Sequence, residues 1–313
     1  MKYIVGLDLG GTNLRIGLFN HKIQLLKKRA LFTQGFKDKN SLIEGMVQSI
    51  REIIRDNSIK ESHILGVGLG LPGPLDYKKQ LVYFFPNIKG WYNVFLGKIL
   101  RERLGINTIM DNDANLICLA EYHIGLAKKY SNLVCVTLGT GVGGGLIIEK
   151  KLYRGTNSVA GEIGHISISK DGPPCGCGGR GCLESYIGNQ RIIRQAKKIF
   201  KKNITLEELS RLARLNDIRA IKIWKDVGEK LGIALAGVIN LLNPEAIVIA
   251  GGISNAGKIL FDSIKETIKE RAMPIQAKQV KILSSRLKDN AGIIGAALLV
   301  KMETKNVDFY RFG

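Results

Sequence analysis

The stretch "GHISISKDGPPCGCGGRGCLES", positions 164–185, holds one of the four histidines and three of the five cysteines in the chain. Cys175, Cys177 and Cys182 fall within eight residues, and His165 stands ten residues before the first of them. One imidazole and three thiolates form a donor set suited to tetrahedral Zn²⁺. Four protein ligands would close the coordination shell and leave no position for an activated water, so such a metal would be structural. The spacing His-x9-Cys-x-Cys-x4-Cys is not that of a zinc finger, and free thiols in a glycine loop are the other reading. Two prolines and five glycines lie between 172 and 181. A loop of that composition does not hold one shape unaided. A metal would fix it, and with it Glu184 just beyond the last cysteine.

A second group of residues offers phosphate and proton chemistry. "DLGGTNLR", 8–15, places Asp8 at the end of an apolar run, where a carboxylate could hold Mg²⁺. Gly10 and Gly11 allow close backbone approach, and their N–H groups with the Thr12 hydroxyl could cradle phosphate oxygens. "GTGVGGG", 139–145, offers a second cradle at Gly139, Thr140 and Gly141, and "AGGIS" a third at Gly251 and Gly252. The P-loop pattern is absent. "GTGVGG" has the spacing of a dinucleotide fingerprint, but a strand follows it rather than the helix that fingerprint needs. A single glycine turn is more often a plain hairpin; three, the first with an acid and a threonine, shift the balance to nucleotide binding. "DNDAN", 111–115, sets Asp113 at a helix start. Its carboxylate, ionised at neutral pH, could take a proton from an attacking hydroxyl. Asn and Asp are also the usual helix caps, so the motif alone leaves both roles open.

These residues need elements to position them. "YIVGLDLG" and "LRIGLFN" read as two strands joined by a glycine turn. "SLIEGMVQSIREIIRDN" reads as a helix opened by a Ser41–Glu44 capping box, with Leu42, Met46, Val47, Ile50, Ile53 and Ile54 on one face. "ILGVGLGLPGP" is a buried strand ending in a turn, and "NDANLICLAEYHIG" runs into a helix. The layout of "LGGTNLRIGL" returns 129 residues later in "LGTGVGGGLI". Either the chain has two related halves, each beginning with a glycine hairpin, or the two turns are alike by chance. A helix over 225–241, a strand in "NPEAIVIAGGIS" and a final apolar helix in "NAGIIGAALLVK" complete an α/β pattern.

The formal charge is +20, from 47 Lys and Arg against 27 Asp and Glu. A nucleic-acid stripe is not evident, because the cations are scattered. The densest run, "RIIRQAKKIFKK" at 191–202, keeps Ile192, Ile193, Ala196, Ile199 and Phe200 at helical spacing, leaving its cations on the solvated face. Nucleic acid is therefore not expected as a partner. "MKYIVGLDLGG" is not a signal peptide and no uncharged stretch is long enough to span a bilayer, so a cytoplasmic location without membrane contact is expected. Cys118 and Cys135 lie in apolar settings and read as core cysteines.

Taken in order, "DLGGTNLR", "LPGP", "DNDAN", "LGTGVGGG", "GTNSVAGEIGH", "CGCGGRGCLE" and "AGGIS" resemble the ROK family of sugar kinases and repressors, within the sugar kinase, Hsc70 and actin superfamily. The resemblance spans nearly the whole chain and is nearest to bacterial ATP-dependent glucokinases. It implies an α/β fold of two ribonuclease H-like domains around a cleft, divided at 1–112 plus 292–313 and 113–291. It implies ATP with Mg²⁺, structural Zn²⁺, a hexose substrate with glucose favoured, and a homo-oligomer, dimer or tetramer. The family's catalytic base falls on Asp113, and its sugar contacts fall on Asn112, Asp113, Glu162, His165 and Glu184, with Asn87 in "FPNIKGW" a further candidate. The free ring nitrogen of His165 would donate to a sugar hydroxyl. N-acetylmannosamine, N-acetylglucosamine and fructose are alternative substrates served by the same carboxylates. The family's repressors carry a helix-turn-helix in front; here the first strand begins at residue 3, which disfavours that class. Asp8, Asp113 and the turns disfavour a non-catalytic sugar-binding module. Arg15 belongs to the matching motif, with no role assigned beyond a phosphate or structural contact.

Overall fold

"YIVGLDLG" is apolar on both faces, as a central strand must be. In the computed structural model, which describes residues 1–85 and 90–304, it forms β1 (Tyr3–Leu9), buried from Ile4 onward. The glycine turn returns the chain antiparallel as β2 (Asn13–Asn20), and β3 (Leu25–Phe32) extends the meander to the sheet edge. There Lys27, Lys28 and Arg29 are exposed, and charges on an edge strand discourage pairing with other chains. Helix α1 (Lys39–Arg55) leads to β4 (Ile64–Leu71), which joins β1 in parallel. A small antiparallel sheet follows, of β5 (Leu75–Asp76), β6 (Leu81–Phe84) and β7 (Tyr92–Val94). Helix α2 (Leu96–Leu104) then delivers β8 (Thr108–Asn112), parallel to β4, and β8 runs straight into α3 (Asp113–His123).

The second half repeats this plan. β9 (Leu133–Leu138), β10 (Val142–Ile148) and β11 (Lys151–Tyr153) form an antiparallel meander. Helices α4 (Glu184–Ile187), α5 (Asn189–Phe200), α6 (Leu206–Arg214) and α7 (Ile218–Leu242) precede β12 (Ala246–Ala250), which joins β9 in parallel. Helices α8 (Lys258–Arg271) and α9 (Pro274–Gln279) precede β13 (Lys281–Ser284), parallel to β12. The strand orders, β3-β2-β1-β4-β8 and β11-β10-β9-β12-β13, correspond position by position. Helix α10 (Ala291–Glu303) ends the described chain.

The chain forms two compact units: residues 1–120, 154–160 and 289 onward in the first, 121–153 and 161–288 in the second. The division at 112 and 292 expected from sequence differs from this, and the packing of α10 gives the reason. A Cβ on Gly295 would lie 1.9 Å from the Leu116 carbonyl oxygen, so the start of α3 is locked to α10. A Cβ on Gly6 or Gly68 would meet carbonyl oxygens of α10 at 2.3 and 2.1 Å. Glycines in β1 and β4 let the helix lie directly on the sheet.

Three local expectations need correction. Helix α1 is capped by Asp38, whose side chain accepts from the Ser41 N–H while the Ser41 hydroxyl accepts from the Asp38 N–H. Ser41 is thus the third helical residue, and Glu44 pairs instead with Arg103 at 2.7 Å. Helix α7 begins at Ile218, seated on an Asp217 cap, well before 225. In α5, Ile192 and Ala196 are buried but Ile199 is 39% exposed, because the helix buries a narrower stripe than its spacing allows. Cys118 and Cys135 are buried core residues. No helix among the described residues is long and apolar enough to cross a membrane.

Candidate active site and metal centre

In the first unit the candidate residues gather at the carboxyl ends of parallel strands, where open α/β sheets bind ligands. Asp8 pairs in register with Gly70, and Leu71 with Asn112. Gly70 lies beside the Asp8 carboxylate and the backbone of Asp113: a Cβ there would stand 3.4 Å from Asp8 Oδ1 and 3.6 Å from Asp113 Cα. Asp8 is 8% exposed. Burial pushes its carboxyl up to about 6; Arg15 opposes this and Asp289 adds to it. Arg15 Nη1 is 3.7 Å from Asp8 Oδ2, so the unassigned arginine of the motif is the counter-charge of Asp8. The first turn of α10 closes over the acid, since a Cβ on Gly292 would lie 2.4 Å from Asp8 Cγ. A buried carboxylate with one loosely held cation suits a hard ion such as Mg²⁺. The turn beside it, with Gly10, Gly11 and Thr12, is fixed by Gly10 N–H to Asn13 O at 2.8 Å, by Thr33 N–H to Thr12 O at 2.9 Å and by Thr33 Oγ1 to Gly10 O at 3.1 Å.

Asp113 opens α3 and is partly exposed, and its carboxylate accepts from the Ala114 N–H at 2.8 Å. Asn112 Oδ1 accepts from Ala114 N–H at 3.0 Å, and Asn112 Nδ2 donates to Gly73 O at 3.3 Å. The side chain of Asn112 therefore ties the helix start to the turn of "LPGP". Behind it lies a group that the sequence does not reveal. Asp111 is fully buried and receives Arg154 Nε at 2.7 Å. The Arg154 guanidinium stacks 3.7 Å from the centre of the Tyr77 ring. Asp111 reads in sequence as one of three cap-type residues and Arg154 as one scattered cation; only the buried aspartate of a β-strand could have hinted at a partner.

In the second unit the turns after β9 and β12 are neighbours, because the strands are parallel and Thr137 pairs with Ala250. Gly251 has φ +91°, and a Cβ on it would lie 2.1 Å from Leu138 O. Nothing stands within 4 Å of the Cβ direction of Gly139 or Gly252, so both turns leave open space beside their backbone. A cradle for phosphate oxygens requires that space. Glu184 Oε2 accepts from Val142 N–H at 2.8 Å, and a Cβ on Gly141 would meet that oxygen at 2.3 Å. Gly141 thus admits the carboxylate, and Glu184 braces the turn of Gly139, Thr140 and Gly141. A cavity of about 140 Å³ beside it is lined by Thr140, Cys175, Glu184 and Arg191.

His165, Cys175, Cys177 and Cys182 come together as the sequence spacing allowed: their donor atoms all lie within 4.8 Å of one another. Cys177 and Cys182 sulfurs are 3.7 Å apart, and Cys175 Sγ is 3.6 Å from His165 Nδ1. A tetrahedron with Zn–S of about 2.3 Å and Zn–N of about 2.0 Å requires separations near 3.8 and 3.5 Å. The donors therefore fit Zn²⁺. Burial opposes ionisation of Cys175, but hydrogen bonds from Cys177, Ser185 and His165 prevail and bring its thiol to about 7. Burial, with the neighbouring Cys177 and Cys175, pushes Cys182 up to about 12. The thiols cannot all ionise beside one another unless a cation joins them. The loop is folded by Cys175 N–H to Gly179 O at 2.8 Å and by the positive φ of Gly178 and Gly181. His165 Nε2, on the far side of the ring from the thiols, is 3.8 Å from Glu162 Oε2. Metal on Nδ1 would keep the proton on Nε2. Burial raises the Glu162 carboxyl, His165 lowers it and Glu184 raises it. Asn87 lies outside the described residues.

The two matching sheets are those of the sugar kinase, Hsc70 and actin superfamily. Within it, the ROK family pattern matches residues 4–303, and the chain belongs to that family. It is 34% identical to a glucokinase of Thermotoga maritima over 95% of this chain and 97% of that protein. It is 31% identical to a xylose repressor of Caldicellulosiruptor bescii over 95% of this chain and 77% of that one. Its structure is similar to a ROK family glucokinase from Streptomyces griseus in complex with glucose and AMPPNP, with a TM-score of 0.83, 29% identity, and coverage of 96% of this chain and 99% of that one.

Proposed function

We propose that the protein is an ATP-dependent hexose kinase that transfers the γ-phosphoryl group to the 6-hydroxyl of glucose. The observation that carries this reading is that Asp8, near the end of β1, and Asp113, directly after β8, both lie next to Gly70 of the strand between them. One acid is buried and held near Arg15; the other opens a helix and is partly exposed. That division suits one carboxylate for a metal and one for a proton. The glucokinase from Thermotoga maritima and the glucose and AMPPNP complex of the Streptomyces griseus enzyme support the substrate pair.

In this reading Asp113 accepts the proton of the sugar hydroxyl as its oxygen bonds to the γ-phosphorus and the bond to the departing ADP breaks. Asp8 would hold Mg²⁺, which when bound neutralises phosphate charge. The turns at 10–12, 139–141 and 251–252 would offer backbone N–H groups to the phosphates. Asn112, Glu162, His165 and Glu184, with Asn87, would pair the sugar hydroxyls, His165 donating from Nε2. Zinc on His165, Cys175, Cys177 and Cys182 would hold the loop that carries Glu184.

Asp113→Ala tests the assignment. The variant is expected to keep its fold and zinc content and to lose on the order of 10²-fold or more in kcat. Near-normal turnover by the folded variant would remove Asp113 from the mechanism. A second reading, a sugar-responsive transcriptional regulator, draws on the similarity to the xylose repressor. Salt-resistant binding to promoter DNA without sugar-dependent turnover would favour it.

A further inference from the structure

The pair behind Asp113 has no part in the chemistry above, yet its construction is specific. A fully buried carboxylate such as Asp111 requires a cation, and removing that cation is strongly destabilising. The cation comes from far along the chain. Residues 154–160 belong to the first unit, while the chain on both sides of them belongs to the second. The segment is looped by Ala160 N–H to Arg154 O at 3.0 Å and by Gly155 at φ +71°. The Arg154 guanidinium is held at its edge by Asp111 Oδ2, at 2.7 Å, and on its face by the Tyr77 ring, at 3.7 Å. Tyr77 is itself fixed, donating from its hydroxyl to Glu303 Oε1 at 2.7 Å. A planar fork held on edge and face has little rotational freedom.

That fixed fork sets the rotamer of Asp111, and Asp111 sets the start of α3. Its other oxygen, Oδ1, accepts from Asn112 N–H at 2.7 Å and from Asn115 Nδ2 at 3.0 Å. Asn112 in turn accepts from the Ala114 N–H that opens α3. The backbone that carries Asp113 is therefore referenced, through Asp111, to Arg154.

We propose that Arg154 is a positioning residue for the phosphoryl transfer: by holding Asp111 it sets the backbone at Asn112 and so the aim of the Asp113 carboxylate. The inference rests on the hexose kinase reading. Misplacing a reacting group by about an ångström costs up to about 10²-fold in rate.

The test is Arg154→Ala in the full-length, zinc-loaded protein, assayed with glucose and Mg-ATP beside the wild type. kcat is expected to fall about 10- to 100-fold, with KM for ATP changed less than about twofold. Added guanidinium ion at millimolar levels restores part of the lost kcat and leaves the wild type unchanged; sodium chloride at equal ionic strength does not. The amides of Ala114 and Asn115 exchange hydrogen faster, and that of Val142 does not. A merely structural arginine would lower the amount of folded enzyme without a guanidinium-dependent kcat. Should Arg154→Ala fail to fold, Arg154→Lys keeps the charge, loses the fork and is expected to show the same kcat loss in part. Wild-type kcat per folded molecule in either variant overturns the proposal, as does a loss that guanidinium does not relieve and that leaves Ala114 and Asn115 exchange unchanged. Wild-type protein that releases no ADP with any sugar overturns the kinase reading and this inference with it, and that result is distinct because it precedes any substitution.

Discussion

Asp8 ionises against its surroundings, and a single substitution exposes how much. Burial raises its carboxyl from the usual 3.8 to about 6 in the folded chain. For an acid whose folded value is raised, the contribution to stability is fully present below the unfolded value and is lost as pH rises through the folded one. Asp8 is thus harmless near pH 3, opposes folding increasingly between about 4 and 6, and opposes it fully above. The gap between 3.8 and about 6 corresponds to about 3 kcal/mol. Asp8→Asn is nearly isosteric and has no charge to bury, so at pH 7.5 it should be more stable than the wild type. Arg15 already lowers the folded value, so the loss of its attraction, at 3.7 Å, is contained in that figure. The expected gain is about 3 kcal/mol at pH 7.5, shrinking to about 0.5 kcal/mol at pH 4. Urea unfolding without Mg²⁺ at the two pH values measures it, followed by Trp91, which is buried in the first unit, in a Trp224→Phe background. An Asn variant less stable than wild type at pH 7.5, or a difference equal at both pH values, would refute the burial argument. Under the kinase reading the same variant loses turnover, which makes Asp8 a site where function is kept against stability.

The second unit offers two further tests. Gly251→Ala combines a φ of +91° with a Cβ 2.1 Å from Leu138 O; it should lose about 3 kcal/mol or more in thermal or urea unfolding, whereas Gly252→Ala, which meets open space, should lose about 1 kcal/mol or less. Metal analysis of protein purified without chelator should find one zinc per chain, and Cys182→Ala should find none. In that variant protease cleavage should increase between 172 and 181, while an unchanged zinc content would remove Cys182 from the ligand set.

Both hairpins were legible in the sequence because each couples a run buried on both faces to a glycine turn, and the repeated strand order explains why the layout of "LGGTNLRIGL" returns in "LGTGVGGGLI". The metal cluster was legible because its donors are nearly contiguous. The features that stayed hidden depend on partners distant in sequence. Arg154 meets Asp111 across 43 positions, and nothing in "YRGTN" marks that cation as buried. The role of Glu184 as a brace needs the approach of Gly141, which spacing does not show. The cap of α1 moved to Asp38 because Asp is as good an N-cap as Ser, and the reciprocal partner at the third helical position is Ser41 rather than the Glu or Gln of the usual pattern. The return of 154–160 to the first unit is a tertiary choice: Arg154 meets Asp111 and the Tyr77 ring there, and no local pattern marks it.

Sugar-dependent phosphoryl transfer is measured most simply as ADP release from Mg-ATP with glucose, N-acetylmannosamine, N-acetylglucosamine, mannose, fructose and no sugar, followed by identification of the phosphorylated position. A hexose kinase of the kind proposed should turn over only with sugar, be fastest with glucose and yield the 6-phosphate. Turnover strongest with another hexose would keep the mechanism and change the substrate. Zinc-loaded, folded protein that releases no ADP with any of them would contradict the assignment of a kinase.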